Sequence, residues 1–250
     1  MNKQELKDFL DFKAAEYENP NFIELDPVSI PHQFSQKEDI EIAGLLSATI
    51  AWGNRKSILN NAAKMMAIME QSPYHFVCNY SAADYSRLKG FVHRTFNADD
   101  LDFFLRALQN IYLHQGGLEQ AFQGDSAKEA IINFRNKMLS VSHLPRSEKH
   151  LSNPLKNSAA KRLNMYLRWM VRPATKGVDF GIWSSLNPAM LSCPLDVHSG
   201  NIARKLGLLE RKPNDWKAVD ELDLALRKLD LKDPVKYDFA LFGMGINEKF

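Results

Sequence analysis

Cysteine is scarce in this chain, which has only Cys78 and Cys193 in 250 residues. The two lie far apart, and neither belongs to a Cys-x-x-Cys pattern of the kind found in thiolate metal sites. This scarcity excludes a disulfide framework and a four-cysteine iron–sulfur cluster built from this chain alone. Asp196 and His198 lack a third ligand at a characteristic spacing, so we predict no metal and no cofactor.

Long apolar runs are also missing. No stretch approaches the roughly 18 consecutive apolar residues that span a bilayer. The first seven residues include the charged Lys3, Glu5 and Lys7 where a signal peptide needs an apolar run. We therefore expect a cytoplasmic protein without a membrane partner.

A strong excess of one charge is absent as well, since 32 basic and 30 acidic residues give a formal net charge of +2. That excess is too weak to indicate a nucleic-acid partner. The distribution is less even, because residues 135–176 contain ten cations and the single acid Glu148. The cations are Arg135, Lys137, Arg146, Lys149, Lys156, Lys161, Arg162, Arg168, Arg172 and Lys176. They predict either one positively charged wall or an ordinary solvated basic face.

What the chain has in abundance is helical periodicity, and 45% of its residues are hydrophobic. The length suits one large domain or two lobes that share a cleft. We predict an all-α protein with a single domain over residues 1–250. Helix starts are predicted from a Ser35–Glu38 capping box, from residues 97–100 ahead of a helix over 101–113, and from Asp233 before a proline.

The most informative helix is predicted over residues 158–172, after a polar, exposed connection at 142–157. Lys161, Arg168 and Arg172 follow at spacings that put three cations on one face. A later loop leads to Asp196, which stands in a favoured N-cap position before a helix that ends at Gly207.

Three segments resemble the helix-hairpin-helix DNA glycosylase superfamily. Pro-Leu-Asp-Val-His at 194–198, followed by a helix ending in Leu-Gly-Leu, resembles the family's catalytic aspartate segment. Lys161 occupies the place of the lysine carried by bifunctional members, and Leu-Leu-Ser-Ala-Thr at 45–49 resembles the start of the endonuclease III branch. The spacing from Lys161 to Asp196 is closest to that of archaeal 8-oxoguanine DNA glycosylases. The chain also looks like a member of an uncharacterised bacterial protein family.

The resemblance implies two helical lobes with a cleft between them, with the hairpin and catalytic segment at about 142–208. It implies a base-excision repair enzyme with AP lyase activity, which removes an oxidised purine such as 8-oxoguanine. Lys161 would form a Schiff base with the sugar, and Asp196 would stabilise positive charge and accept a proton. The partner would be double-stranded DNA that contains a damaged base or an abasic site.

One departure from the family is clear, because residues 154–158 lack the Gly-x-Gly whose amides bind a DNA phosphate. Lys156 or Ser158 could replace that contact. The predicted DNA-binding residues are Lys156, Ser158, Arg162, Arg168, Arg172 and His198. The candidates for stacking on an extruded base are Trp52, Tyr166, Trp169 and Trp183.

Plainer interpretations stay open at this point. Asp196 is explained by its N-cap position, Lys161 by an amphipathic helix surface, and the aromatic residues by core packing. The alternative functions are a non-catalytic nucleic-acid-binding protein that retains the fold, and a helical protein-interaction module.

Overall fold

The computed structural model describes residues 1–248 and is predominantly helical. Its helices are α1 (Lys3–Tyr17), α2 (Lys37–Thr49), α3 (Arg55–Ile68), α4 (Pro73–Asn79), α5 (Tyr85–Leu88), α6 (Ala98–His114), α7 (Gly117–Ala121), α8 (Ala127–Leu139), α9 (Lys161–Val171), α10 (Val197–Lys205), α11 (Trp216–Arg227) and α12 (Tyr237–Asn247). Two short strands, β1 (Val92–His93) and β2 (Phe96–Asn97), pair antiparallel. The predicted all-α class is confirmed. Within residues 1–248, no helix combines the length and apolar character needed to cross a membrane.

The chain divides into two compact units. The first unit contains residues 1–24, 125–128 and 153–250, and the second contains residues 25–124 and 129–152. The first unit is therefore assembled from both ends of the chain. The polar segment predicted at 142–157 includes one of the points where the chain passes between units.

The second unit is built around α2 and α6. α2 is buried along most of its length, and α6 buries a continuous apolar stripe that includes Phe104 and Leu108. The helix start predicted at 97–100 is confirmed, although α6 begins at Ala98 rather than at Leu101, with Asn97 as its N-cap in a capping box with Asp100. The predicted capping box at Ser35–Glu38 is wrong, because α2 begins one residue later, with Gln36 as its N-cap and no side-chain cap.

The Asp100 carboxylate is fully buried and organises the residues that follow Leu144. It accepts hydrogen bonds from Ser147 Oγ at 2.6 Å and Arg146 Nη1 at 3.0 Å. Charged groups are buried only with such partners. Residues 145–150 form a 3₁₀ turn in which Ser147 and His150 are buried, whereas Pro145, Arg146 and Lys149 are exposed, so the predicted exposed connection is confirmed only in part here.

The first unit has α9 and α12 at its core. Nine of the eleven residues of α9 are buried, and α12 packs against both α1 and α10. Close approach of α1 and α12 depends on Gly243, where an added Cβ would overlap the ring of Tyr17. α12 begins later than predicted, because residues 234–236 form a 3₁₀ turn and Asp233 makes no side-chain cap.

Candidate functional site

The segment before α9 is a tight, well-anchored turn. Residues 154–156 form a 3₁₀ turn, after which Asn157 and Ala160 adopt left-handed backbone conformations with φ of 63° and 47°. Asn157 is held against Asp215, with 2.8 Å from Nδ2 to the carboxylate, and its carbonyl accepts a bond from the Trp216 amide. Glycine is the residue that takes such conformations at no steric cost. The chain therefore makes a glycine-type turn without glycine.

This turn sets the start of α9. Because Ala160 is left-handed, the helix begins at Lys161 rather than at residue 158 as predicted. Lys161 is thus the first residue of α9 and directly follows the turn. The sequence pattern could not show this, since alanine is otherwise the strongest helix former.

Lys161 and Asp196 lie together. Lys161 Nζ is 3.6 Å from Asp196 Oδ2, and the two side chains are 27% and 22% exposed. Asp196 is the N-cap of α10, because its Oδ1 accepts the Ser199 amide at 3.0 Å. One carboxylate oxygen therefore caps the helix while the other faces the amine. The N-cap and a chemical role are compatible in this geometry.

Phe242 of α12 and His198 of α10 border the pair. Lys161 Nζ is 5.7 Å from the centroid of the Phe242 ring, which is half-exposed, and the His198 ring is 6.3 Å from the same centroid. His198 is exposed and its Nδ1 bonds to the Gly245 carbonyl at 3.3 Å. Since a carbonyl only accepts, Nδ1 carries the proton. Sequence reasoning missed Phe242, because no local pattern distinguishes it from the buried aromatics of α12.

A buried carboxylate, Asp238, belongs to the same electrostatic environment. Burial raises its pKa to about 6, although Arg168 and Lys161 lower it, and Asp196 raises it further. Arg168 Nη1 donates to Asp238, and Cys193 Sγ lies 3.9 Å from it. Burial also raises the pKa of the Cys193 thiol well above its usual value. That thiol is consequently a poor nucleophile at neutral pH.

The three aligned cations of α9 do share a face, but only Lys161 is partly exposed. Arg168 is buried between Asp179 and Asp238. Arg172 is buried and bonds to Asp179, Asp233 and Glu18. The prediction that Arg168 and Arg172 form a surface wall is therefore wrong, because both charges are compensated inside the first unit.

The other predicted DNA-binding residues are more accessible. Lys156 is exposed at the anchored turn, Ser158 is half-buried beside it, and His198 is exposed. Arg162 is half-buried, and desolvation lowers its pKa to about 10. Arginine with this pKa remains charged at neutral pH.

The predicted stacking residues are mostly core. Tyr166, Trp169 and Trp183 are buried, and Trp183 packs edge-on against Tyr166 at 5.5 Å. As arranged, these three rings offer no face to an incoming base, so the plainer interpretation holds for them. Trp52, in the second unit, is half-buried and stacks on His150 at 6.0 Å.

Comparison with known proteins gives one match. The model of a family described as "Protein of unknown function (DUF2400)" matches residues 26–247. The chain belongs to the DUF2400 family. No curated protein and no solved structure matches it. The matched region of this DUF2400 protein contains Lys161, Asp196 and Phe242, whereas α1 lies outside it.

Residues 1–248 contain no group of three or more histidine, cysteine, aspartate or glutamate side chains arranged to hold a metal ion. The site therefore offers an amine, a carboxylate and an aromatic ring. Such a set suits covalent chemistry on an electrophilic carbon.

Proposed function

We propose that the protein is a base-excision DNA glycosylase with AP lyase activity, which removes an oxidised purine such as 8-oxoguanine. The observation that supports this most is the 3.6 Å approach of Lys161 Nζ to Asp196 Oδ2 at a partly exposed surface. Lys161 and Asp196 are 35 positions apart in the sequence. Taken singly, the first could be a helix-surface lysine and the second an N-cap, but the fold brings them together as a pair. The glycosylase resemblance assigned roles to these same two residues, and a cleft between helical lobes remains part of the proposal.

In the proposed reaction, Lys161 must lose a proton before it attacks the anomeric carbon of the damaged nucleotide. Asp196 Oδ2 is close enough to accept it after a small side-chain movement. The bond from C1′ to the base breaks as the bond from Nζ to C1′ forms, and the base leaves with the electron pair.

Two further residues fit this proposal. Phe242 presents a half-exposed ring 5.7 Å from the attacking amine, suited to contact the face of an extruded base. Lys156, exposed on the anchored turn, is placed to contact a phosphate where the family uses Gly-x-Gly amides. Arg168 and Arg172 have no part in DNA binding in this proposal.

The experiment is reductive trapping with borohydride on duplexes that contain an abasic site or 8-oxoguanine. We expect wild type to give a covalent adduct and Lys161→Ala to lose it by at least about 100-fold. Asp196→Asn should lower trapping while preserving the fold, because asparagine caps helices as well as aspartate does. Lys176→Ala, at an exposed lysine of the first unit, serves as the control and should trap normally.

The alternatives give different results. Absence of an adduct and of incision with every such substrate contradicts the proposal. Salt-sensitive DNA binding without trapping supports a non-catalytic nucleic-acid-binding protein. Absence of nucleic-acid binding at low salt leaves a helical protein-interaction module.

A further inference from the structure

We infer that a second surface of the first unit binds an acidic peptide segment that carries apolar side chains. The surface is a groove of about 820 Å³, lined by Lys3 and Lys7 of α1, by the end of α11, and by residues 228–232. We call it the basic groove. It shares no lining residue with the Lys161–Asp196 site, and the inference does not depend on the proposed function.

Charge is the first property that defines the occupant. The groove is lined by five cations and one acid. The cations are Lys3, Lys7, Arg227, Lys228 and Lys232. The acid, Asp230, is already bound by Lys236 at 2.7 Å. Lys7 pairs with Asp11 and Arg227 pairs with Asp223. Within residues 1–248, no carboxylate lies at ion-pair distance from the other three cations, Lys3, Lys228 and Lys232. The groove therefore carries positive charge that an acidic ligand would complement.

Two exposed leucines define the second property. Leu224 is 64% exposed and Leu231 is 73% exposed, and both line the groove. In contrast, Leu222 and Leu226 of the same helix are buried. Apolar residues that stand together on a surface and are rimmed by charge mark binding sites more often than isolated ones do. A ligand with apolar side chains would cover both leucines.

The groove is also largely preformed. Arg227 donates to the carbonyls of Ala189 and Leu191, at 3.2 and 2.8 Å. The Asp230 carboxylate accepts the amides of Lys232 and Asp233, which fixes the turn that presents Leu231. Binding to a preformed site costs less conformational entropy than binding to a mobile one.

This combination favours a peptide over the other anionic ligands. A nucleic-acid strand would use the lysines but would leave the leucines against phosphate and sugar, where they gain little. Membrane surfaces are bound by long apolar helix faces, whereas here only two exposed leucines stand among five cations. An acidic peptide with apolar side chains satisfies both properties at once.

The test uses fluorescence anisotropy with a short synthetic peptide of alternating aspartate and leucine. Wild type is expected to bind it with a dissociation constant in the range of about 1–100 μM at low salt. Lys232→Glu and Leu231→Ser should each weaken binding at least about tenfold. Both side chains are exposed, and circular dichroism checks that each variant is folded. Lys56→Glu and Leu113→Ser are matched controls at exposed positions of the second unit and should change affinity less than about twofold.

Further arms need only the wild-type protein. A peptide with serine in place of leucine should bind at least about tenfold more weakly, which separates groove recognition from simple charge attraction. Equal affinity for the two peptides, or equal effects of groove and control substitutions, overturns the inference. It is also overturned if oligothymidylate or phosphatidylserine vesicles bind the basic groove more tightly than the peptide does. A dissociation constant for the peptide above about 1 mM overturns it as well.

Discussion

Replacing Asp238 with asparagine tests whether the first unit buries a carboxylate at a cost in stability. Burial raises the pKa of Asp238 to about 6, despite the bond from Arg168. The usual aspartate value is 3.8. Asp238 binds its proton more tightly in the folded state than in the unfolded state. The protonated carboxyl therefore contributes stability that is fully present below the pKa that Asp238 has in the unfolded chain. That contribution is lost as the pH rises through about 6.

The magnitude follows from the size of the shift. The rise of the Asp238 pKa from 3.8 to about 6 corresponds to roughly 3 kcal/mol of unfolding free energy, of which about 1.3 kcal/mol is lost between pH 5 and 7. Asp223 is also buried, and its pKa is likewise raised to about 6. Asp223 makes the unfolding free energy fall with rising pH in the same way in wild type and in Asp238→Asn. The difference between the two proteins therefore isolates Asp238.

Urea unfolding of wild type and Asp238→Asn at pH 5, 6 and 7 measures this difference. We expect the unfolding free energy of the variant, relative to wild type, to rise by about 1 kcal/mol from pH 5 to 7. An exposed control on α1, Asp8→Asn, should show no such slope. A relative stability that is flat or falls with pH would refute the reasoning, because it would mean that Arg168 keeps Asp238 ionised throughout.

Four further substitutions, at three positions, test the packing around the site by urea unfolding. Arg172→Met leaves Glu18 and Asp179 buried without their shared cation and should cost about 3–5 kcal/mol; a cost below about 1 kcal/mol would show that this cluster is hydrated. Gly243→Ala should cost about 1–3 kcal/mol, since the new methyl group overlaps Tyr17, and an unchanged stability would contradict the close approach of α1 and α12. Ala160 has a left-handed backbone, which glycine adopts freely and valine adopts only with strain. Ala160→Gly should therefore change stability by less than about 1 kcal/mol, whereas Ala160→Val should cost more than about 2 kcal/mol. Equal effects of the two substitutions would contradict the left-handed backbone.

Local signals in the sequence predicted local structure well. The helix start at residues 97–100 and the Asp196 N-cap are confirmed, because each depends on residues only three positions apart. Ser35 does not cap α2, because the N-cap position is occupied by Gln36, which has the extended backbone typical of that position.

Long-range partners explain what sequence reasoning could not find. The alignment of Arg168 and Arg172 on one face is correct, but the pattern could not show that this face is buried. Their partners come from distant segments, with Glu18 at the end of α1 and Asp238 in α12. Phe242 was missed for the same reason, since only the fold brings it to Lys161.

The central claim is that Lys161 is the nucleophile, and its most direct test is to map the borohydride-reduced adduct by mass spectrometry. An abasic-site duplex is trapped with wild type, the DNA is digested, and the modified tryptic peptide is sequenced. We predict that the added sugar mass lies on Lys161 Nζ. Its location on Lys156, on another lysine or on the terminal amine, or the absence of any adduct, would contradict the account.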